Sequence, residues 1–345
     1  MVFLNHSEGL NMMKRKDITL RDIAQQAHVS TATISRYFNH PDKISKSLRN
    51  TIEQILNQMN YNLKKQKPAE QNISIGLLVP DISNPWFTLL IKSIENSANI
   101  MGFSIILVDS NNDPSVEKSN FFRLIEKGVD GLILIPTENN ATYMYDFIDE
   151  KFPIIFLDRC INKQGVYYIT SDNMQGAYQA TKYLISLGHK SILYIGGNKL
   201  INTESERFSG YTSALFEANI KFDPDLYISA DYSFEKAKKA IFRLISKPFR
   251  FTAIFASDDM MAFGAKTALE EKGYKIPEDI SLIGFDNILF SSLMSLTTIS
   301  QPASEMGKNA IMLIDNILHK RNRFPKNIIL PTNIIIRNSC KRIGN

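Results

Sequence analysis

With 345 residues, 44% of them apolar and 22% charged, the chain exceeds one hydrophobic core and is too rich in core material to be mainly disordered. No apolar run approaches roughly 18 residues and no signal-peptide core follows the first Met, which points to a cytoplasmic protein without a membrane span. The net charge of +5 is uneven: residues 1–69 hold 11 Lys+Arg against 5 Asp+Glu while the other 276 hold 29 against 30, so a basic head suited to a polyanion precedes a near-neutral body.

Residues 1–16 read as an N-terminal extension. Met12 and Met13 stand directly before Lys14-Arg15-Lys16, and residues 1–11 are expected to be dispensable. Residues 17–61 read as three short helices. Thr19 and Asp22 have the spacing of a capping box, and Leu20, Ile23, Ala24 and Ala27 form one apolar face, which places a helix at about 19–27. His28-Val29-Ser30 ends it, and Ser30 can cap a second helix whose inward face is Ile34, Tyr37 and Phe38. Thr31, Ala32, Thr33, Ser35 and Arg36 leave that helix with a slim polar face that fits the major groove of DNA. A third helix runs from the Ser45 cap through Leu48, Ile52, Ile55, Leu56 and Met59 to Tyr61 and closes a small core. Two helices joined by a short turn and braced by a third make a helix-turn-helix unit.

That stretch resembles the DNA-binding head of the LacI family of bacterial transcription regulators. The resemblance rests on the TLRDIA start, the VSTATISR segment with Asn39 behind it, and the ISKSLR opening of the third helix. It implies that Thr31, Ala32 and Arg36 meet base edges while Thr33, Ser35 and Asn39 hold phosphates. The chemistry agrees, since Arg36 can bond a guanine edge bidentately and Thr31 and Ala32 can meet a thymine methyl. His28 departs from the family, whose turn usually has Gly there; a left-handed backbone at this residue costs roughly 1 to 2 kcal/mol.

Residues 62–72 form a linker. Family members carry here a hinge helix of the form PNxxARxL, whose Leu wedges into the minor groove. In this chain Leu63 and Lys64 replace the Pro-Asn pair, no Ala-Arg-x-Leu follows, and Pro68 breaks any helix through 64–68. Lys64 and Lys65 still suit backbone contact, so DNA binding is expected without the wedge.

From Ile73 the pattern changes to short apolar runs alternating with amphipathic segments. ISIGLLVP, FSIILVD, GVDGLILIP, PIIFLDR, YYITSD, SILYIGG, TAIFASD and ISLIGFDN read as buried parallel strands, with helices over stretches such as 86–101 and 173–187. An open α/β sheet binds ligands beyond the carboxyl ends of its strands. Polar residues stand there: Asp81-Ile82-Ser83-Asn84, Asp109-Ser110-Asn111, Asp158-Arg159, Ser171-Asp172-Asn173, Ser257-Asp258-Asp259 and Asp286-Asn287. Any single one suits a helix cap; the series, with Arg159 and Arg207, suits a polar cleft for a ligand dense in hydroxyls. Trp86 and Phe87 serve either that ligand's C–H face or the core, because Phe87 also belongs to a helical apolar stripe.

The body is similar, in the order and spacing of ISNPWFTLLIKSIE, FLDR, TSDNMQGA, ERFSGYTSAL, FASDDMMAFGAKTALEEKGYKIPEDISLIGFDN and LTTISQPASEMGKNAI, to the sugar-binding core of LacI-type regulators and of periplasmic sugar-binding proteins. The resemblance implies a small all-α helix-turn-helix domain followed by an α/β core of two Rossmann-like subdomains, residues 73–167 with 300–323 and residues 168–299 with 324–341. It carries Asn84, Trp86, Phe87, Asp158, Arg159, Arg207, Asp258, Asp286 and Gln301 onto pocket positions. Asp258 departs, standing where many relatives have Asn, and Asp259 matches the usual Asp. An extra carboxylate disfavours an anionic ligand, so a neutral sugar or polyol is expected rather than a sugar phosphate.

Enzyme signatures are missing: no G-x-G-x-x-G follows a strand, and P-loop, G-x-S-x-G and H-E-x-x-H patterns are absent. The five His residues form no ligand pair, so neither metal nor cofactor is expected, and Ile195-Gly196-Gly197 reads as a turn after a strand. The expected protein is a homodimeric repressor of a carbohydrate-utilisation operon that reads a pseudo-palindromic operator and is released by a sugar. A purine or other corepressor on the same fold is the alternative.

Overall fold

The computed structural model describes residues 20–30, 33, 34, 37, 44–59, 73–150, 152–321 and 325–343. The chain divides into two compact units, Met1–Asn72 and Ile73–Asn345.

In the first unit, helices α1 (Leu20–Gln26) and α2 (Lys46–Gln58) flank a short helical turn that includes Thr33 and Ile34. Ile23, Ala24, Ala27, Ile34, Ile52 and Leu56 close its core, with Tyr37, Leu48, Ile55 and Met59 packed around it. Ser30 does cap the middle segment, its Oγ accepting the Thr33 N–H at 3.1 Å, and Ser45 Oγ accepts the Leu48 N–H at 3.4 Å. His28 has a φ of 54°, and the Val29 N–H reaches the Ala24 carbonyl at 3.0 Å, the left-handed ending common to helices. The turn is thus left-handed even without the usual Gly. Thr31, Ala32, Ser35, Arg36, Asn39, Lys64 and Lys65, the extension 1–16 and the linker up to residue 72 lie outside the described residues.

The second unit begins with β1 (Ser74–Val79), α3 (Pro85–Met101), β2 (Ser104–Asp109), α4 (Pro114–Glu126), β3 (Gly131–Leu134), α5 (Tyr145–Asp149), β4 (Ile154–Leu157) and β5 (Tyr167–Ser171). It continues through α6 (Asn173–Ser186), β6 (Ile192–Gly196), α7 (Asn202–Glu217), β7 (Tyr227–Ser229), α8 (Phe234–Leu244), β8 (Ala253–Ala256), α9 (Asp259–Glu271), β9 (Ser281–Asp286), α10 (Leu289–Leu293) and β10 (Thr297–Ser300). Helix α11 (Ala303–Leu318) and strands β11 (Asn327–Leu330) and β12 (Asn333–Ile335) end the order. One sheet runs β11-β5-β4-β3-β1-β2 and is parallel throughout. The other runs β12-β10-β9-β8-β6-β7 and is parallel except where β12 meets β10.

Strands β1, β3, β4, β6, β8 and β9 are buried almost end to end, as helices on both faces demand. Helix α6 packs closely on α7 because Gly210 has no side chain: a Cβ there would stand 2.1 Å from the Met174 carbonyl. That contact seats the helix that carries Arg207.

The subdomain boundaries differ from those expected. A division at 167/168 would cut β5, and residues 324–341 do not belong to one subdomain. β11 pairs along β5, Asn327 opposite Tyr168 and Leu330 opposite Ser171, and so extends the first sheet, while β12 joins the second. The cause is the free edge of β5, whose N–H and C=O groups β11 satisfies. The chain therefore crosses between the sheets after Ser171, after Ser300 and between Leu330 and Asn333.

Candidate functional site

The polar strand ends do two kinds of work. Asn84, Asp113, Asp172 and Asp258 cap helices, accepting the N–H groups of Trp86, Ser115, Gln175 and Met261. Asp259 is also structural: buried, it accepts from the Ile288 N–H at 3.0 Å, Ser291 Oγ at 2.5 Å and Thr298 Oγ1 at 2.6 Å, stitching the loop after β9 to β10. Asp158 and Asp286 differ. Asp158 directly follows β4 and Asp286 ends β9, with φ of 64° and 116°, a backbone that non-glycine residues rarely hold and that recurs at binding sites.

Asn84, Trp86, Phe87, Asp158 and Arg159 of the first subdomain meet Arg207, Asp258 and Asp286 of the second around one small chamber, completed by Thr203 and Tyr232. Gln301 joins through Asp286, its Nε2 donating to Oδ1 at 2.6 Å. Trp86 Nε1 donates to Asp158 Oδ1 at 3.1 Å, and Arg159 lies 3.9 Å from the same carboxylate. Arg207 is fixed on three sides: Nη1 to the Ser257 carbonyl at 2.6 Å, Nε to Asn173 Oδ1 at 2.9 Å, and its guanidinium 3.9 Å above the Phe285 ring. Its ion pair with Asp286 is looser, at 3.8 Å.

Free space in the chamber is about 20 Å³, room for about one water and too little for a sugar. The room lies just outside it, in a vestibule of about 440 Å³ that shares Asn84, Phe87, Arg159 and Tyr232 and is walled by Asp81, Asn112, Thr137, Asn198 and Asp231. Between the two, the Arg159 guanidinium stands 5.2 Å from the Phe87 ring centre and 5.5 Å from that of Tyr232.

The chamber is electrostatically costly. Burial raises the pKa of Asp158 despite Arg159 and Arg207, and raises that of Asp286 despite Arg207, with Asp258 and Asp259 adding to the rise. Burial pushes Asp258 up to about 7 against the Met261 N–H that it accepts. Asp258 Oδ2, Gln301 Oε1 and Arg159 Nε have no hydrogen-bond partner among the described residues. Two acceptors and one donor are thus left without partners, and of these residues Asp258 and Arg159 line the chamber.

Tyr232 and Glu204 fall outside the expected site residues, and Asn173 enters only as one of the polar strand ends. Tyr232 follows β7, too short at three residues to show an apolar run, and Glu204 sits in NTESERFS, which reads as a solvated helix start. Of the expected DNA-contacting residues, only Thr33 falls within the described ones; it is helical and its Oγ1 lies 2.9 Å from Ser30 Oγ.

Two family descriptions match the chain: bacterial regulatory proteins of the lacI family over residues 19–62, and periplasmic binding proteins and the sugar-binding domain of the LacI family over residues 72–338. The HTH-type transcriptional regulator DegA of Bacillus subtilis is 32% identical over 94% of this chain and 99% of its own length. The HTH-type transcriptional repressor PurR of Histophilus somni is 32% identical over 94% of this chain and 99% of its own. Among solved structures, a LacI family regulator from Enterococcus faecium with bound ribose superposes with a TM-score of 0.69 at 29% identity, over 79% of this chain and all of that one.

Proposed function

The chain belongs to the LacI family of bacterial regulatory proteins and is a DNA-binding transcriptional regulator, and from this premise we propose that it represses a carbohydrate-utilisation operon under the control of a small neutral sugar or polyol. The observation that carries the proposal is the meeting of Asp158 and Arg159 from one sheet with Arg207 and Asp286 from the other. Carboxylates and guanidinium groups in alternation bond hydroxyls as acceptors and donors at once, and aromatic faces at Phe87 and Tyr232 suit a sugar's C–H surface.

Three buried carboxyl groups beside two guanidinium groups supply acceptors and donors for hydroxyls with little net charge to attract an anion, which supports a neutral sugar over a sugar phosphate. The Enterococcus regulator, which holds ribose, supports the same class. To reach the inner carboxylates the ligand must part Arg159 from its place between Phe87 and Tyr232, so binding and a relative shift of the two subdomains go together.

The head reads DNA with Thr31, Ala32 and Arg36 on base edges and Thr33, Ser35, Asn39, Lys64 and Lys65 on phosphates. Two heads on a twofold axis read a pseudo-palindrome. Helix α10 exposes Leu289, Phe290 and Leu293, and Met294 directly after it is exposed too, an apolar patch that suits a second copy of the chain.

The test is a binding screen on the full chain with pentoses, hexoses, disaccharides and purines, read by the fluorescence of its one tryptophan, Trp86, which lines the chamber. A neutral sugar should change the emission saturably. Binding of a purine and of no sugar would replace this reading by the corepressor alternative.

A further inference from the structure

Glu204 is 1% exposed on the first turn of α7, below the chamber, where an unpaired carboxylate would be prohibitive. It accepts from four donors on three different strands or the loops after them: Tyr194 Oη at 2.8 Å, the Gly197 N–H at 2.8 Å, Ser257 Oγ at 2.7 Å and Tyr232 Oη at 3.2 Å. Two of these partners belong to the cleft. Tyr232 lines both the chamber and the vestibule, and the carbonyl of Ser257 takes the 2.6 Å bond from Arg207.

The glycine pair after β6 has its explanation here. A Cβ on Gly197 would stand 2.2 Å from the Tyr232 ring, and one on Gly196 would stand 2.7 Å from Glu204 Oε1. Ile195-Gly196-Gly197 is therefore more than a turn: its two missing side chains are the space that the carboxylate and the aromatic ring occupy. Tyr232 holds a φ of 56°, a left-handed backbone that its surroundings must enforce.

We propose that Glu204 is a positioning residue for the effector: by holding the Tyr232 hydroxyl at the back of the cleft and Ser257 beneath Arg207, it aims one aromatic face and one guanidinium at the bound sugar. This rests on the sugar reading above. Because the Tyr232 hydroxyl is engaged with Glu204, the residue presents its ring to the ligand, and Glu204 sets the ring's distance from Arg159.

Three variants of the full chain test it: Glu204→Gln, Tyr232→Phe and the double variant. D-ribose, D-glucose and cellobiose are titrated by Trp86 fluorescence, and acrylamide quenching of Trp86 is measured without any sugar. Glu204→Gln and Tyr232→Phe should each weaken the bound sugar about tenfold, with the double variant no worse than the weaker single one, because both act on the same Glu204–Tyr232 contact, the first by removing the carboxylate charge and the second by removing the donor. Quenching should rise in both, and operator affinity without sugar should stay within about twofold of the parent. Unchanged sugar affinity and quenching in Tyr232→Phe, or a loss confined to thermal stability, would overturn the positioning role. Failure of all three sugars to bind the unaltered chain, with quenching still raised in both variants, would sink the sugar reading and leave the anchoring of the cleft wall standing.

Discussion

Gln301 donates its side-chain amide to the Asp286 carboxylate at 2.6 Å, and this bond joins the crossover after β10 to the wall of the cleft. Asp286 also faces Arg207 at 3.8 Å, so a sugar hydroxyl that competes for Asp286 alters the contact to the crossover as well. On the proposed reading, the ligand and the crossover would share one carboxylate.

Asp286→Ala or Arg159→Ala is expected to abolish the response to sugar while leaving operator binding in its absence, since each removes charge-assisted bonds that water cannot restore in a closed cleft. Gln301→Ala should be milder, with sugar affinity down about tenfold and a smaller change in operator affinity per bound sugar. Fluorescence anisotropy on labelled operator, with and without sugar, measures both. A full response in Asp286→Ala and Arg159→Ala together would show that the effector binds elsewhere.

Stability of the ligand-free body should depend on pH through Asp258. Burial raises this carboxyl to about 7, so between the unfolded value near 4 and about 7 the folded chain holds the extra proton. Stability therefore falls as pH rises across that window and levels off above it; the upward shifts of Asp158 and Asp286 act in the same direction. Asp258→Asn keeps the cap on Met261, because Asn caps as well as Asp, and removes the titration. The variant should melt on the order of 5 °C higher at pH 8 and show a shallower pH slope by differential scanning calorimetry. An identical slope in parent and variant would assign the pH dependence to another group.

In the head, Arg36→Ala should cost roughly 1 to 3 kcal/mol of operator affinity and flatten the preference at one base pair per half-site. Lys64→Ala and Lys65→Ala should weaken all sequences alike and reduce the slope of log K against log salt by about 0.9 for each phosphate that is no longer neutralised. Binding-site selection followed by salt titration separates the two effects. Base preference unaltered in Arg36→Ala would mean that the register of the recognition segment is wrong.

The linker should bend DNA little. With Pro68 interrupting residues 64–68 and no Ala-Arg-x-Leu segment, the sequence lacks the leucine that would wedge the minor groove at the operator centre. A circular-permutation mobility assay should show near-uniform migration. A sharp kink at the centre would reveal a wedge built from other residues.

Much of this architecture was legible because hydrophobic periodicity is strong where strands are buried on both faces. All eight strands expected from apolar runs are present, including those ending at Val79, Leu157 and Asp286. The four that were missed, β7, β10, β11 and β12, span three or four residues, and β11 and β12 are half-exposed with polar members, so no run marks them. That is why the subdomain boundaries shifted. In the cleft, residues with paired chemistry such as Asp158-Arg159 stand out in sequence. Glu204 and Tyr232 do not, because their importance lies in a hydrogen bond across 28 residues that no local spacing reports.

The account stands most directly on operator affinity measured with and without a neutral sugar, on the unaltered chain and on Asp286→Ala, by anisotropy at fixed salt. A sugar that binds by Trp86 fluorescence should lower operator affinity in the parent and leave Asp286→Ala unaffected; a linker interrupted at Pro68 is expected to transmit a shift poorly, so the change should be less than the roughly 150-fold upper range of allosteric coupling. Operator affinity that rises with a purine and ignores every sugar would contradict it.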